Sequence, residues 1–264
     1  MRILVDIRHL TSPQQSGVGE YTIQLLRALF AIDQKNEYVL FSSGRQKPHQ
    51  DIIRLIQDDT QHRWTHQHLS TPNKLLNLRT LLLKHPPINR HVKTPIDLLF
   101  LPNLNIVSLP TDIPTVLTIH DLSWHFFPEF YSKKMQWWHK TTRSSELIAH
   151  SKHLIVPSES TKQDLANAFQ KRGEHITVIP HGVDPRFTPK MDARDHGVRS
   201  RLKLPKKFAL FIGTMEPRKN LLALVEGIKH YRAYAHDDLH LVLAGKWGWR
   251  SETLGRLLKK NEVR

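Results

Sequence analysis

The stretch that decides the fold is Arg2-Ile3-Leu4-Val5-Asp6-Ile7, followed by Ser16-Gly17-Val18-Gly19-Glu20-Tyr21. The first run is short and apolar, as in a buried strand. The segment over residues 19–32 carries apolar side chains at helical spacing. A strand, a glycine-containing loop and a helix in this order are typical of a doubly wound α/β sheet. The sequence therefore predicts a Rossmann-like start to the chain.

The same alternation continues along the chain. Val-, Ile- and Leu-rich runs predict strands at residues 2–7, 38–42, 97–101, 115–119, 153–156 and 176–179. Helices are predicted at residues 19–32, 132–150 and 160–170, the last with a capped start among Ser158, Ser160 and Thr161. Near-continuous apolar strands indicate a parallel sheet covered on both faces. The predicted fold class is α/β with a doubly wound parallel sheet.

The pattern predicts two domains of unequal size. Residues 1–185 form an N-terminal Rossmann-like domain, and residues 186–205, rich in Pro and charge, form a linker. Residues 206–264 begin a second α/β domain, with strands at 208–212 and 240–244 and helices at 220–234 and 251–260. This part is shorter than a usual domain of ~100–200 residues. We therefore expect a truncated or externally completed domain whose exposed sheet favours self-association.

Composition excludes several classes of protein. The 264 residues include no Cys, which excludes a disulfide scaffold, a Cys-based metal site and a thiol nucleophile. No apolar run approaches the ~18–20 residues of a membrane span, and the N-terminus lacks the features of a signal peptide. We expect a cytoplasmic protein. The formal net charge of +15 favours an anionic partner: nucleic acid, anionic lipid or a phosphorylated small molecule. Because no helix-turn-helix, zinc spacing or aromatic–basic repeat is present, nucleic acid is not expected.

Two motifs of the first domain are candidate sites. Gly17 and Gly19 precede a helix, where small residues and helix N–H groups favour a bound anion. The alternative is an ordinary tight loop. His120 and Asp121 follow a strand, and ligands of open α/β sheets bind at the carboxyl ends of strands. The alternative is that Asp121 caps the next turn and His120 only packs.

The second domain repeats the pattern of strand, glycine and cation. Gly213 is followed by Arg218 and Lys219 before a predicted helix, and Gly245 is followed by Lys246. Adjacent cations at a helix N-terminus are unfavourable without an anion nearby, and a diphosphate would supply one. The alternatives are solvated surface charge and an ordinary turn at the end of a strand.

A leucine-rich stretch lies within residues 71–95. Its leucines alternate with the cations Lys74, Arg79, Lys84 and Arg90. Such a segment suits the surface of an anionic membrane. The alternative is a helix that packs on the sheet, with its cations extended to solvent.

Six short motifs in order resemble the family 4 glycosyltransferases, which are retaining enzymes with the GT-B fold. The motifs are Ser16-Gly17-Val18-Gly19-Glu20-Tyr21, Ile119-His120-Asp121-Leu122-Ser123, Val156-Pro157-Ser158-Glu159-Ser160-Thr161, Ile179-Pro180-His181-Gly182-Val183-Asp184, Gly213-Thr214-Met215-Glu216-Pro217-Arg218-Lys219-Asn220-Leu221 and Ala244-Gly245-Lys246. They most resemble bacterial mannosyltransferase-type members that build surface polysaccharide or lipopolysaccharide.

The resemblance implies a nucleotide-sugar donor bound between an acceptor-side domain, residues 1–185, and a donor-side domain. His120, with Asp121, would be catalytic and would face the transferred sugar. The donor diphosphate would be bound by Gly17, Gly19, Gly213, Arg218, Lys219 and Gly245. No metal and no cofactor would be required. The acceptor would be a glycan or a lipid-linked glycan, and the donor GDP-mannose.

The chain also departs from the family pattern. The family's later motif of two Glu residues, E-x7-E, and its C-terminal helix are absent, and His181 stands where Asn is common. The departures leave a second interpretation open: a truncated, inactive module that binds an acceptor or a membrane. In both interpretations we expect a cytoplasmic protein with peripheral contact to the inner face of an anionic membrane.

Overall fold

The computed structural model describes residues 1–11, 16–45, 63–83, 86–190 and 193–260. The chain divides into two compact units. The first consists of Met1–Phe126 and Trp137–His181, and the second of Phe127–Gln136 and Gly182–Arg264. The two units are described separately.

The first unit is built on a sheet of seven strands in the order β3-β2-β1-β4-β5-β6-β7. All strand pairs are parallel. The strands are β1 (Arg2–Asp6), β2 (Glu37–Ser43), β3 (Trp64–Leu69), β4 (Leu98–Leu101), β5 (Thr115–Thr118), β6 (His153–Val156) and β7 (Ile176–Val178). Because β1 pairs with β2 on one side and β4 on the other, the strand order reverses at β1. Ligands of such sheets bind at this point of reversal.

Helices follow the strands along the chain. They are α1 (Gly17–Ile32), α2 (Asn73–Leu83), the single turn α3 (Ser123–Phe126), α4 (Lys133–Thr141), α5 (Ser144–His150) and α6 (Glu159–Phe169). Short 3-10 turns occur at Arg8–Thr11, Ile88–His91, Pro128–Phe130 and Gly173–His175.

Both faces of the sheet are covered. Leu4 and Val5 are fully buried neighbours on β1, but they belong to two different hydrophobic clusters. Successive side chains of a strand point to opposite faces, so the two clusters are the two faces of one sheet. The predicted α/β class with a doubly wound parallel sheet is confirmed.

Three predicted details of this region differ from the structure. Strand β3 is not predicted, because its sequence Trp-Thr-His-Gln-His-Leu is polar and, among the described strands, it lies at the sheet edge and pairs with β2 alone. The predicted helix over residues 132–150 is two helices, since Arg143 has a left-handed φ of 50°. Helix α1 begins at Gly17, earlier than predicted, because the Ser16 side chain accepts the Gly19 N–H.

The second unit contains two parallel strands, β8 (Phe208–Ile212) and β9 (His240–Ala244). Its helices are α7 (Ala193–Arg201), α8 (Leu221–Ala235) and α9 (Glu252–Lys260), with a 3-10 turn at Pro217–Lys219. A small core of Met215, Leu221, Val225 and Leu254 packs beside the strands. Helix α7 lies within the segment predicted as a linker, where Pro and charged residues hide the helical pattern.

The opposite side of this small sheet is open. Leu210 and Ile212 alternate with the packed Phe211 and are 52% and 74% exposed. Self-association through this face stays a prediction. Among the residues that the structure describes, no helix combines the length and apolar character that would let it cross a bilayer.

Candidate functional site

A buried ion pair lies at the end of β1, where the strand order reverses. The Arg8 guanidinium donates two hydrogen bonds to the Asp6 carboxylate, from Nε to Oδ1 at 2.9 Å and from Nη2 to Oδ2 at 2.7 Å. The side chains are 5% and 2% exposed. Burial alone would raise the pKa of Asp6, but the charge and hydrogen bonds of Arg8 outweigh burial and hold this pKa below its usual value. Asn105 Nδ2, from the loop after β4, donates to the same carboxylate at 3.2 Å.

His9 follows directly and is held in one tautomer. Its Nε2 lies 2.9 Å from the Thr22 hydroxyl oxygen, and that hydroxyl donates its own proton to the Val18 carbonyl at 2.9 Å. Nε2 therefore carries a proton and donates it to Thr22. Burial lowers the pKa of His9 to about 4. The ring is neutral at pH 7.

His120 lies at the same edge of the sheet, two residues after β5. It is half-buried, and its Nε2 donates to the Pro102 carbonyl, 3.0 Å away, in the loop after β4. Burial lowers the pKa of His120, which the hydrogen bond to Pro102 only partly offsets. The imidazole is therefore neutral at pH 7, with Nδ1 as its acceptor atom.

Two aromatic contacts fix the His120 ring. Tyr21 of α1 meets it edge to face with a centroid distance of 4.8 Å, and the Tyr21 ring lies 4.8 Å from that of His181. The rings of His120 and His181 are 5.7 Å apart. The structure thus brings together three of the motifs of the first unit. Tyr21 and His181 are not among the predicted site residues, although both stand inside the quoted motifs.

Asp121 has the role of a cap. The side chain is exposed, and its Oδ1 accepts the Ser123 backbone N–H at 3.0 Å and the Ser123 hydroxyl. This contact is the alternative that the sequence left open. A catalytic role for Asp121 stays a prediction.

The two glycines of the first turn of α1, Gly17 and Gly19, differ in burial and in the space available for a side chain. Gly19 is buried, and a side chain there would lie 3.3 Å from Leu10 Cδ2, so its small size serves packing. Gly17 is exposed, and nothing lies within 4 Å of the position of a Cβ atom. The first helical turn leaves N–H groups without partners inside the helix. Gly17 is therefore the better placed of the two to contact an anion.

In the second unit, Gly213 and Gly245 end adjacent strands and touch each other. Their φ angles are 152° and 148°, and a Cβ atom on Gly245 would lie 1.9 Å from the Gly213 carbonyl oxygen. The Gly213 N–H donates to the Ala244 carbonyl at 2.9 Å. The backbone that approaches Gly245 closely is thus that of Gly213 at the end of the neighbouring strand. Contact with phosphate or base stays a prediction for both glycines.

Arg218 and Lys219 differ in their electrostatic state. Arg218 donates to Glu216 Oε1 from Nε at 3.0 Å, with Nη2 at 2.9 Å, and Glu216 is buried. This guanidinium is already neutralised. Lys219 is exposed after β8, and Lys246 is exposed after β9. Because β8 and β9 are parallel neighbours, both lysines follow the carboxyl ends of the same small sheet.

Within the described ranges, no group of three His, Asp or Glu side chains is arranged to hold a metal ion. The expectation that neither metal nor cofactor is needed is not tested by this finding.

Comparison with known proteins defines the class. A seven-stranded parallel sheet followed by a second strand–helix unit is the architecture of GT-B proteins, and solved structures share it. Residues 15–187 match the model of Glycosyltransferase Family 4. The chain belongs to this family. It is 25% identical over 147 residues to O-antigen chain mannosyltransferase B of Escherichia coli, covering 55% of this chain and 38% of that protein.

The crystal structure of Anabaena Alr3699/HepE in complex with UDP and glucose matches 98% of this chain at 16% identity, with a TM-score of 0.60. The crystal structure of a glycosyltransferase from Rickettsia africae ESF-5 matches 99% at 13% identity, with a TM-score of 0.56. At these identities the likeness shows the fold. The chain covers 65% of each of these two chains.

The contact between Gly213 and Gly245 generates a stability prediction. We expect Gly245→Ala to lower the free energy of unfolding by more than about 2 kcal/mol, because the new Cβ meets a backbone oxygen at a positive φ. Gly227→Ala is the matched control. Gly227 lies in α8 with nothing within 4 Å of a Cβ, so alanine should stabilise by about 0.5–1 kcal/mol. Thermal unfolding followed by circular dichroism measures both. Equal transitions for Gly245→Ala and the parent would contradict the steric account.

Proposed function

We propose that the chain is part of a glycosyltransferase that moves a hexosyl group from a nucleotide-sugar to a glycan or lipid-linked acceptor in surface polysaccharide or lipopolysaccharide synthesis. The single observation that carries the proposal is that this member of the family has a neutral histidine after a strand of one unit and exposed lysines after the strands of the other. The first unit presents the neutral His120, and the second presents the exposed cations Lys219 and Lys246.

The chemistry follows from charge. When the bond between C1 and the phosphate oxygen breaks, negative charge grows on the nucleoside diphosphate, and fixed cations stabilise it. Lys219 and Lys246 supply that charge, together with Arg218, which is paired with Glu216. The acceptor hydroxyl forms the new bond to C1 and gives its proton to the departing phosphate oxygen. We propose retention of configuration and no need for metal.

His120 suits the sugar end of this reaction. The sugar becomes positively charged as the bond breaks, and a protonated imidazole would oppose that charge. Burial keeps His120 neutral, and its Nε2–H is occupied by the Pro102 carbonyl. The acceptor atom Nδ1 can therefore face the developing cation.

The names of relatives support a hexose donor. One relative is named as a mannosyltransferase, and one solved structure with this fold holds UDP and glucose. We propose GDP-mannose as the donor.

Nucleotide binding tests this function. We expect GDP or UDP to bind the chain in the presence of EDTA, as measured by calorimetry. Lys219→Ala should weaken binding about tenfold, because one cation is worth roughly 1–2 kcal/mol to a phosphate. Lys219→Ala tests the nucleotide contact more directly than Arg218→Ala, because Arg218→Ala would also leave the buried Glu216 without its ion-pair partner Arg218.

Lys259→Ala is the control, since Lys259 is exposed on α9 beyond the strand ends. We expect it to bind like the parent. Absence of affinity for any nucleoside diphosphate would overturn the proposal for this chain. It would favour the second candidate, a module that binds an acceptor or a membrane.

A specific surface favours membrane contact by the same chain. Leu75, Leu78 and Leu82 of α2 are 57%, 52% and 73% exposed, and their spacing places them on one face of the helix. Lys74 and Arg79 are also exposed, one on each side of this leucine stripe. Leu76 faces inward and is buried. Lys84 lies outside the described residues.

We propose that the leucine stripe contacts an anionic bilayer at the cytoplasmic face of the cell membrane. Leucines enter the headgroup region while flanking cations meet lipid phosphate. The three leucines changed together to Ser should abolish cosedimentation with phosphatidylglycerol vesicles. Leu202→Ser, at a leucine of similar exposure, should not. Binding of the parent should weaken as salt rises. Salt-insensitive binding, or self-association through the stripe in place of vesicle binding, would contradict the proposal.

A further inference from the structure

A cavity of about 390 Å³ opens at the carboxyl edge of the first sheet. Arg8, His9 and Thr11 after β1 line one side, and Asn103 and Asn105 after β4 line another. Asn73 and Asn77 of α2, with Leu104 and Trp138, are the other described residues of the lining. Its volume lies within the ~300–1,000 Å³ of small-molecule sites. The cavity thus lies where the strand order reverses.

The cavity is near His120. The loop that supplies Asn103 begins at Pro102, whose carbonyl accepts the His120 Nε2–H. Electrostatic coupling also links His9 to His120, since the charge of one lowers the pKa of the other. The loop that lines this cavity therefore also contacts the histidine that the proposed function places at the reacting sugar.

The lining has almost no net charge, although the chain carries +15. Arg8 is the permanent charge among the described lining residues, and its guanidinium is committed to Asp6. His9 is neutral at pH 7 because burial lowers its pKa. A phosphate or carboxylate entering the cavity would lose its water and find no uncompensated cation among these described lining residues, which is unfavourable.

The polar groups that remain suit hydroxyls. The described lining includes four carboxamides, and each has both a donor and an acceptor end, as a sugar hydroxyl does. Two are fixed in place. The Asn73 amide donates to Thr11 Oγ1 at 3.2 Å, and the Asn105 oxygen accepts the Ile106 N–H at 2.9 Å.

The other two carboxamides are open to a ligand. Among the described residues, the side chains of Asn77 and Asn103 have no hydrogen-bond partner, and both are half-buried. Trp138 adds an apolar ring, against which the C–H face of a sugar packs.

We propose that this cavity binds a neutral saccharide unit of the acceptor, through the carboxamides of Asn77 and Asn103 and the indole of Trp138. The inference rests on the proposed function and deepens it by naming the acceptor chemistry at this site. The cavity selects an uncharged sugar ring over a phosphorylated one.

Neutral and charged probes of similar size test the proposal. The Trp138 indole N–H signal of the ¹⁵N-labelled chain, assigned with Trp138→Phe, is followed during titration. The neutral probes are the methyl α-glycosides of mannose, glucose, galactose and N-acetylglucosamine. The charged probe is mannose 6-phosphate. We expect at least one neutral glycoside to shift the signal, and mannose 6-phosphate to bind more weakly.

Asn77→Ala combined with Asn103→Ala should weaken the neutral glycoside at least tenfold without changing the midpoint of thermal unfolding. Asn167→Ala, at an exposed asparagine of α6, is the control and should bind like the parent. Tighter binding of mannose 6-phosphate, or no shift with any glycoside, would overturn the inference.

Nucleotide binding separates this result from the proposed function. If GDP or UDP binds and no glycoside does, the inference fails alone. If no nucleotide binds, the proposed function fails whatever the cavity holds.

Discussion

The buried ion pair between Asp6 and Arg8 is the constraint on which the first unit depends. The carboxylate accepts the Arg8 guanidinium, the Arg8 backbone N–H and the Asn105 amide, so it joins the ends of β1 and β4 at the point where the strand order reverses. Breaking such a pair by removing one partner typically costs about 3–5 kcal/mol. Because Asp6 compensates the charge of Arg8, the pair also lowers the net positive charge at this edge of the sheet. His9, His120 and the carboxamide-lined cavity all stand beside it.

Charge is unevenly distributed between the two sheets. At the carboxyl edge of the first, the half-buried histidines His9 and His120 are neutral and Arg8 is compensated. At the carboxyl ends of β8 and β9, Lys219 and Lys246 are exposed. A neutral edge suits sugar hydroxyls, and a cationic edge suits phosphate. The net charge of +15 does not by itself show this division, because it does not say which sheet edge carries exposed cations. Helix α2 contributes to both the cavity and the leucine stripe, because Asn73 and Asn77 line the cavity while Leu75 and Leu78 face outward.

The sequence predicted the parallel sheet because apolar runs of four to six residues mark buried strands directly. It missed β3, whose polar edge sequence carries no such signal. It missed the break at Arg143, since nothing in the helical pattern requires a left-handed residue there. His120 was found from its place after a strand. Tyr21, His181 and Asn105 were not assigned, because each has a contact partner about a hundred or more positions away in the sequence. Such contacts follow from strand order, which local patterns do not specify.

Direct transfer of sugar tests the central claim most simply. The chain is incubated with GDP-mannose labelled in the sugar, and with a lipid-linked glycan presented in phosphatidylglycerol vesicles. We expect label on the acceptor with retained anomeric configuration, and a loss of about a hundredfold in rate for His120→Ala with unchanged nucleotide affinity. Equal transfer by His120→Ala and the parent would contradict the central claim, as would nucleotide binding without transfer to any acceptor.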